Sequence, residues 1–561
     1  MRLKFLPLLP IAFLAMLMMV SCKKSNTQGR YIPATAAVIV HVNAESISDK
    51  LPWEEVKQNE LFIKMYADSS LSSFVKSALD NPENTGIDTK KDMAFFMVKD
   101  STGSYVVFQG AIKDAAKFKT YNTAALKDAK ASEKDGVQFI SNEKTTVSWD
   151  KDKFMLIADA PEGNKMNDTG AWMDKMEQKI ENDSTPAPVP AVKPLRNAVI
   201  TAAQLYTLAE GKSMAKNSQF TELVTTKGDI HFWINAEILS TGTEGIPGMG
   251  MVNLSKLSEG SVATGTVNFE NGKIDVDMKS YAGKEMTEIW KKYGGSKISS
   301  DMVKRLPAKD VALFIAMNFK PEGIKEFVKL TGLEGLINMG AAFLGFNLDD
   351  FVKANKGDIL LAVSDIAKDS SGKTNASVLF AASVGDKASF EKLINAGKKG
   401  GKQGLGNMAS QIHFNSNDQY FAIGNKKENI DQFVTKAGNS KFDFYDKIAS
   451  SSIGGYVNLQ YFMTSMREQV SKDSLALSAL ETSVKMWENI IISGGDFNKG
   501  GITQHYEINL VDKSANSLKQ LNKYMGIMAN IAEQKKNQPN INDLRLPGNT
   551  SPVLDSAAMV E

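Results

Sequence analysis

The sequence is poor in the residues that most often act as nucleophiles or hold metals. Its 561 residues include one cysteine, Cys22, and four histidines, His41, His231, His413 and His505. A single cysteine cannot form an internal disulfide. The histidines are scattered, and none stands at the spacing of a zinc motif. The sequence therefore predicts no cofactor, no metal site and no catalytic residues, and we interpret the histidines as ordinary strand residues.

Long apolar segments and an excess of either charge are also missing. Beyond the N-terminus, no run reaches the roughly 18 uninterrupted apolar residues typical of a membrane-spanning helix. The 66 basic and 64 acidic side chains nearly cancel, which gives no electrostatic argument for a nucleic-acid partner. A composition with 42% hydrophobic residues is ordinary for a globular protein, and 561 residues are too many for one core.

The N-terminal segment has the pattern of a secretory signal. Arg2 and Lys4 supply positive charge, residues 5–20 are mostly apolar, and Ser21 is a small residue directly before Cys22. The apolar run is short for a membrane span. A plain cleaved signal and a membrane anchor are the alternatives, but neither requires the cysteine. The pattern predicts a lipoprotein signal.

We accordingly expect a signal peptide over residues 1–21, lipidation of Cys22 and a polar tether over residues 22–30. Acyl chains on one cysteine anchor a protein without a spanning helix. In sequence, Cys22 resembles the lipidated cysteine of Gram-negative lipoproteins. Lys23 follows it, and the resemblance implies that the missing Asp disfavours inner-membrane retention. It also implies that the missing acidic run disfavours surface export, so we expect the periplasmic face of the outer membrane.

The chain repeats itself once, and the second half restates the pattern of the first. Residues 32–34, Ile-Pro-Ala, precede an apolar strand over 36–43. Residues 306–308, Leu-Pro-Ala, precede a similar strand over 311–318. Both patterns are typical of a buried strand, and each ends at an asparagine that is able to cap the next helix.

Further blocks agree in order and turn chemistry. An amphipathic helical stretch follows each first strand, and a hairpin with an Asp-Ser/Thr-Gly type of turn comes next. Asp114 and Asp386 then stand at equivalent helix N-caps. Later strands over 137–141 and 154–158 correspond to strands near 411–415 and 420–423. Each half closes with a long hairpin and a helix, and the first of these hairpins turns at Asn271-Gly272, which predicts a type I′ turn.

These matches predict an α+β fold made of two tandem, internally repeated units, each a mostly antiparallel sheet with helices packed on one face. We place the first unit at residues 31–295 and the second at 296–534. The first unit contains a Pro-rich insert over 161–195, which we expect to be extended or disordered. The polar tail, 535–561, is expected to be disordered.

Three further segments contain residue types that occur in binding or catalytic sites. Asp275 and Asp277 lie two apart on a predicted strand and share one face, interpreted as the solvent face. The basic Gly-rich segment 397–406 fits no phosphate-loop motif and predicts a flexible loop. The apolar segment 330–348 fits either a buried helix pair or the wall of a hydrophobic cavity.

The chain resembles a family of large, uncharacterised Gram-negative lipoproteins that is classed only as a domain of unknown function. The resemblance rests on Cys22, on the Ile32-Pro33 strand opening and on the helix that begins at Asp114. It spans most of the mature chain and implies no catalytic residues.

Function remains a set of three hypotheses at this level. The first is a non-enzymatic envelope lipoprotein that binds a partner or acts as a scaffold, because the chain combines an anchor with duplicated units. The second is a carrier of a lipid or other hydrophobic ligand, suggested by 26 methionines and by residues 330–348. The third is an envelope hydrolase whose acid pair comes from distant strands.

Overall fold

The computed structural model describes residues 28–69, 71–100, 103–126, 129–142, 145–160, 196–240, 255–368, 374–404, 412–436 and 438–537. The predicted signal peptide, Cys22, the insert 161–195 and residues 538–561 lie outside the described residues. Within the described part of the chain, no helix is both long enough and apolar enough to span a membrane.

Strands and helices of the first unit alternate in blocks along the chain. Its strands are β1 Ala36–Val42, β2 Met93–Asp100, β3 Gly103–Ala111, β4 Lys130–Lys134, β5 Val137–Ser141, β6 Thr145–Trp149, β7 Lys153–Ala160, β8 Ile230–Asn235, β9 Val262–Glu270 and β10 Lys273–Tyr281. Its helices are α1 Ala44–Lys50, α2 Trp53–Lys57, α3 Glu60–Ala67, α4 Ser73–Asp80, α5 Ala115–Ala125, α6 Ala198–Tyr206, α7 Ser218–Thr225, α8 Ala236–Ser240, α9 Ser255–Ser258 and α10 Lys284–Tyr293.

The second unit follows the same plan. Its strands are β11 Val311–Asn318, β12 Asn355–Lys368, β13 Thr374–Val384, β14 His413–Ser416, β15 Tyr420–Gly424, β16 Ile453–Asn458, β17 Trp487–Asn498 and β18 Gly501–Leu510. Its helices are α11 Ser300–Arg305, α12 Glu322–Leu330, α13 Glu334–Leu344, α14 Leu348–Lys353, α15 Lys387–Gly404, α16 Lys427–Thr435, α17 Tyr445–Ile448, α18 Leu459–Ser465, α19 Arg467–Val470, α20 Ser474–Met486 and α21 Ser517–Asn537.

All described strands join one antiparallel sheet, and the two units meet at its centre where β10 pairs with β18. We call this junction the seam. Outward from the seam, the first unit runs β10-β9-β8-β1-β2-β3-β7-β6. The second unit runs β18-β17-β16-β11-β12-β13-β15-β14 in the matching order. This identity of strand order confirms the α+β fold of two tandem repeated units.

Local details repeat as well. The pairing register shifts between Ala36 and Val38 in the first unit and between Val311 and Leu313 in the second, so both first strands carry the same bulge. One strand match made from the sequence is wrong, because β14 corresponds to β6 and not to β5. The first unit adds the hairpin β4–β5 beyond β6, and this extra hairpin displaced the match by one strand.

The two larger cores lie on one face of the sheet, which we call the core face. A third, smaller cluster on the opposite face includes Phe118 of α5 and Phe154 of β7. In the first unit, α6 and α7 cover it, and the buried set includes Phe96, Ile157, Leu205 and Phe220. In the second unit, α11, α16 and α17 cover it, and the buried set includes Phe314, Leu360, Ile430 and Phe433. Burying such side chains contributes about 1.5–3 kcal/mol each, so the two cores stabilise the layered arrangement.

The last helix of each unit packs against the other unit. Helix α10 ends the first unit and contacts α12 of the second, where Tyr293 lies against Gly323. Helix α21 ends the second unit and contacts α3 of the first. There Asn59 donates to Asn522 Oδ1 at 3.0 Å, and Lys64 pairs with Glu533 at 2.5 Å. The units are therefore joined by an exchange of helices as well as by the seam.

The structure tests several of the helix caps and loops that the sequence predicts. Asp114 accepts from the backbone N–H of Ala116 and Lys117, and Asp386 accepts from Ser389, which confirms both N-caps. The basic segment near residue 397 is not a loop, because α15 continues to Gly404. Helix α21 continues to Asn537, so residues 535–537 of the predicted tail are helical.

The type I′ prediction at Asn271-Gly272 is wrong. Only Gly272 has a positive φ there, whereas type I′ needs a positive φ at both central residues. Asn271 forms an isolated antiparallel bridge with Asn516 from beyond β18. This contact with the other unit accompanies the change of turn type. The combination of two positive φ angles occurs instead at Lys499 and Gly500, in the hairpin of the second unit.

Candidate functional site

The seam is the centre of an approximate two-fold relation between the units. Gly272 and Gly500 occupy equivalent turns, one between β9 and β10 and the other between β17 and β18. Asp277 and His505 are separated along the chain by as many residues as these two glycines, and they lie directly opposite each other across β10 and β18. The pseudo-two-fold axis therefore passes through the Asp277–His505 pair. Residues from both units approach one another at this point.

A cleft of about 360 Å³ lies on the core face above this pair. The strands β9, β10, β18 and β17 form its floor, α7 forms one wall, and Ser451 of the second unit contributes to the other. We call it the seam cleft. Its lining is rich in hydroxyl and amide groups, from Gln219, Thr226, Thr264, Thr266, Ser451, Ser493, Thr503 and Gln504. Such a lining offers donors and acceptors to a polar ligand.

Four ionisable side chains lie together on the core face at the seam, as two cross-strand pairs, and Asp277 and His505 also line the cleft. Asp275 lies opposite Glu507, and Asp277 lies opposite His505. His505 Nδ1 donates to Asp277 Oδ1 at 2.8 Å, while His505 Nε2 lies 3.8 Å from Asp275 Oδ1. The hydrogen bond to Asp277 raises the pKa of His505, against the opposing effect of burial. The histidine is thus oriented by one carboxylate and faces two others.

Two lysines balance part of this negative charge. Lys273 Nζ lies 2.9 Å from Asp275 Oδ2 and 3.6 Å from Glu507 Oε2. Lys447 pairs with Glu507 Oε1, which also accepts from Asn509. Burial raises the pKa of Glu507, but the hydrogen bonds from Lys447 and Asn509 outweigh it and lower that pKa. Glu507 is accordingly an ionised acceptor.

A buried histidine pair lies farther along the core face. His41 and His231 are directly opposite on β1 and β8, and each is 3% exposed. His231 Nε2 donates to the Thr226 carbonyl at 2.8 Å, so in the neutral form its Nδ1 accepts from His41 Nδ1 at 3.2 Å. His41 Nε2 lies 3.2 Å from Asp92 Oδ2, and this contact lowers the pKa of Asp92. Burial lowers the pKa of His231.

The second unit shows that the fold does not require this pair. In the matching bulged strand and its neighbour, the positions of His41 and His231 are taken by Ala316 and Gly454, which also lie opposite each other. The His41–His231 pair and the Asp277–His505 pair belong to one row of directly opposed residues that crosses the strands on the core face. The row consists of His41, His231, Thr266, Asp277, His505 and Ser493. This polar row connects the interior of the first unit with the seam cleft.

The structure groups residues that the sequence presented separately. His505, from the second unit, joins Asp275 and Asp277 at the seam. Both aspartates lie on the core face, where the Asp275 side chain is 17% exposed and the Asp277 side chain is 62% exposed. His413 stays apart, on the edge strand β14. Glu507 and Lys447 were missed because a single charged residue in a strand carries no signal of its partners. The period-two spacing of His505 and Glu507 was the one available hint.

The apolar segment 330–348 is partly exposed at the surface. It forms α13 and the start of α14, and Phe343 is 88% exposed while Met339 is 60% exposed. Helix α13 packs against α12, α14 and α15 through its other side. The buried-helix interpretation therefore holds for one side of α13 only.

Comparisons with known proteins identify a family but no activity. No curated protein matches the sequence. Among solved structures, crystal forms IV and III of TP0453 align with 11% and 10% identity and TM-scores of 0.24 and 0.23. Each alignment covers 45% of this chain and 80% or 79% of that protein, and scores this low support no conclusion. A family model matches residues 29–185 and 197–433, which is more than half of the sequence. The chain therefore belongs to the family described as a domain of unknown function, DUF4836.

Proposed function

We propose that this chain is a non-enzymatic binding protein of the Gram-negative cell envelope, held at the periplasmic face of the outer membrane by a lipid on Cys22. The sequence pattern around Cys22 supports the anchor. In this role the two units present one surface to an envelope partner, and the seam cleft receives a polar group of that partner. The chain acts as a scaffold by holding the partner near the membrane.

The observation that carries this proposal is that both units build the seam cleft. Gln219 and Thr226 come from the first unit, whereas Ser451, Ser493 and Gln504 come from the second. A concave site with convergent polar groups is the usual form of a binding site. Its floor is held rigidly, because β10 pairs with β18 along eight residues and the terminal helices are exchanged. A rigid site lowers the entropic cost of binding.

Site-specific photo-crosslinking in intact envelopes tests the cleft. A photoreactive amino acid at Gln219, in the cleft wall, is expected to capture a discrete partner. The matched control is the same substitution at Gln432, an exposed helical glutamine of α16 that does not line the cleft. Capture at Gln432 equal to that at Gln219, or capture at neither position, would refute the cleft as the binding site.

Membrane fractionation tests the anchor. The Cys22→Ser variant is expected to leave the membrane fraction and to lack the mass of the acyl chains, because no other cysteine is present to accept them. A Cys22→Ser protein that stays in the membrane fraction with an unchanged mass would contradict the lipoprotein assignment.

A hydrophobic-ligand carrier is the second candidate, and one specific observation favours it. On the sheet face opposite the core, Phe95, Phe108 and Leu156 are adjacent in register across β2, β3 and β7. They remain 39%, 37% and 38% exposed. Adjacent exposed apolar side chains often mark a contact surface. Native mass spectrometry of detergent-free protein tests this function, since a bound lipid adds a discrete mass that the Phe108→Asp variant is expected to lose. A ligand-free mass from wild type argues against the carrier.

A further inference from the structure

At the seam, three side chains of the types that bind transition metals lie together on the core face, and one of them, His505, also lines the seam cleft. Asp275, His505 and Glu507 each offer one ligand atom, and these atoms all lie within 4.8 Å of one another. A tetrahedral zinc ion with bonds of about 2.0–2.2 Å holds its ligand atoms roughly 3.3–3.6 Å apart, and the 3.8 Å between His505 Nε2 and Asp275 Oδ1 is close to this. We propose that these three residues form a site for one divalent transition-metal ion of the zinc type. The proposal does not rest on the binding function assigned to the cleft.

One carboxylate oxygen that faces His505 Nε2, Oδ1 of Asp275, is left without a hydrogen bond among the described residues. Lys273 occupies Asp275 Oδ2, and Lys447 occupies Glu507 Oε1. The other oxygen of Asp275, Oδ1, is buried and makes no hydrogen bond within the described part of the chain. A buried carboxylate oxygen without a partner is costly, and a cation held beside His505 Nε2 would satisfy it. Lys273 contacts both carboxylates, so metal binding requires its ammonium group to move away from Glu507 Oε2.

Asp277 has the position of a residue that orients a metal-binding histidine. It accepts the hydrogen of His505 Nδ1 at 2.8 Å, which leaves Nε2 as the free ring nitrogen toward Asp275. A carboxylate on the far nitrogen fixes the tautomer of the ring and increases its basicity in many zinc sites. Asp277 is therefore a positioning residue and not one of the three ligands.

The ligand set exists only where the two units join. Across the pseudo-two-fold relation, Asp275 is equivalent to Thr503 and Glu507 to Lys279, so neither residue is required by the repeated fold. One ligand comes from β10 and two come from β18. Because the His505 side chain is 40% exposed and lines the cleft, a metal ion has access from solvent and keeps a fourth position open toward the cleft.

One imidazole with two carboxylates favours zinc over calcium or magnesium, which prefer oxygen ligands alone. Isothermal titration and native mass spectrometry of the chelator-treated chain with Zn²⁺ are expected to give one bound zinc. His505→Ala is expected to remove this binding, and His413→Ala, at a histidine outside the cluster, is expected to keep it. Asp275→Asn preserves the side-chain shape and is expected to weaken binding at least tenfold, with an unchanged circular dichroism spectrum.

The Asp277→Asn variant distinguishes a residue that orients the His505 ring for metal binding from one that only stabilises the fold. It is expected to lower zinc affinity about 10–100-fold at unchanged stoichiometry and an unchanged unfolding midpoint of the metal-free chain. Absence of zinc binding by wild type would overturn the proposal. Equal zinc affinity of His505→Ala and His413→Ala would overturn it as well. Photo-crosslinking at Gln219 after chelation reports on the cleft separately, so failure of the metal site is distinguishable from failure of the proposed function.

Discussion

Two glycines in equivalent turns give a direct test of how the units are joined. Gly272 and Gly500 both have positive φ angles, +67° and +84°. Their surroundings differ. A Cβ at Gly272 would lie 2.5 Å from Lys513 Cα in the segment after β18, whereas a Cβ at Gly500 would meet no described atom within 4 Å. An alanine at either position therefore has the same cost of a left-handed backbone conformation. The two substitutions differ only in that the new methyl group at position 272 overlaps the other unit.

The expected magnitudes follow from these two terms. A left-handed conformation costs an L-residue about 1–2 kcal/mol, and the reduced freedom of the unfolded chain returns about 0.4–1 kcal/mol. We expect Gly500→Ala to lower the free energy of unfolding by about 1 kcal/mol. At Gly272 the new methyl group overlaps backbone atoms that cannot rotate away, and such overpacking adds about 1–3 kcal/mol. We expect Gly272→Ala to cost about 2–4 kcal/mol in total.

Equilibrium unfolding in urea, followed by circular dichroism and tryptophan fluorescence, measures the difference. Both variants are expected to keep the wild-type slope, and Gly272→Ala is expected to have the lower midpoint. Equal midpoints for the two variants would refute the reasoning, because they would show that the segment near Lys513 does not press on the turn of the first unit. Such a result would also count against the seam as a close contact between the units.

Two further predictions concern the cores. Phe314 is fully buried, and its ring centroid lies 5.1 Å from that of Phe444. We expect Phe314→Ala to lower the free energy of unfolding by about 3–5 kcal/mol, and Phe343→Ala, at an exposed helix position, to change it by no more than about 0.5 kcal/mol. Chemical unfolding measures both values, and similar losses for the two variants would contradict the prediction. Burial lowers the pKa of His231 below its ordinary value of 6.5, with His41, Asp92 and Asp229 as the ionisable groups around it. The unfolded chain therefore binds a proton before the folded chain does, and stability is expected to fall as pH decreases through about 6.5. His231→Gln should flatten the pH profile of the unfolding midpoint, and an unchanged profile would show that His231 is not responsible.

The repeat was accessible from the sequence because its signals are local. Apolar strands after a proline, Asp-led helices such as the one at Asp114, and Gly-containing turns depend on neighbours within a few residues. The dependence on local signals also explains why residues 411–415 were matched with β5 instead of β6. Local patterns do not show which strand lies beside which, and the extra hairpin β4–β5 altered the count.

The candidate site was not accessible in this way. Asp275 and Asp277 were recognised as sharing a face, and His505 was recognised as a strand residue, but His505 and Asp277 lie in different units, far apart along the chain. Their meeting depends on the pairing of β10 with β18. The turn at Asn271 shows the same limit, because Asn271 forms a bridge with Asn516 of the other unit, which the local sequence does not indicate.

The sequence by itself determined the composition of the two units, their α+β class and their order of elements, because hydrophobic period, capping and turn chemistry act over a few residues. Only the tertiary structure decided that the units share one sheet, exchange their terminal helices and bring Asp275, Asp277, His505 and Glu507 to one point. The physical reason is that backbone hydrogen bonding between strands is nearly independent of side-chain identity. The partner of an edge strand is therefore chosen by the packing of the whole chain, and the chemistry at the seam follows from that choice.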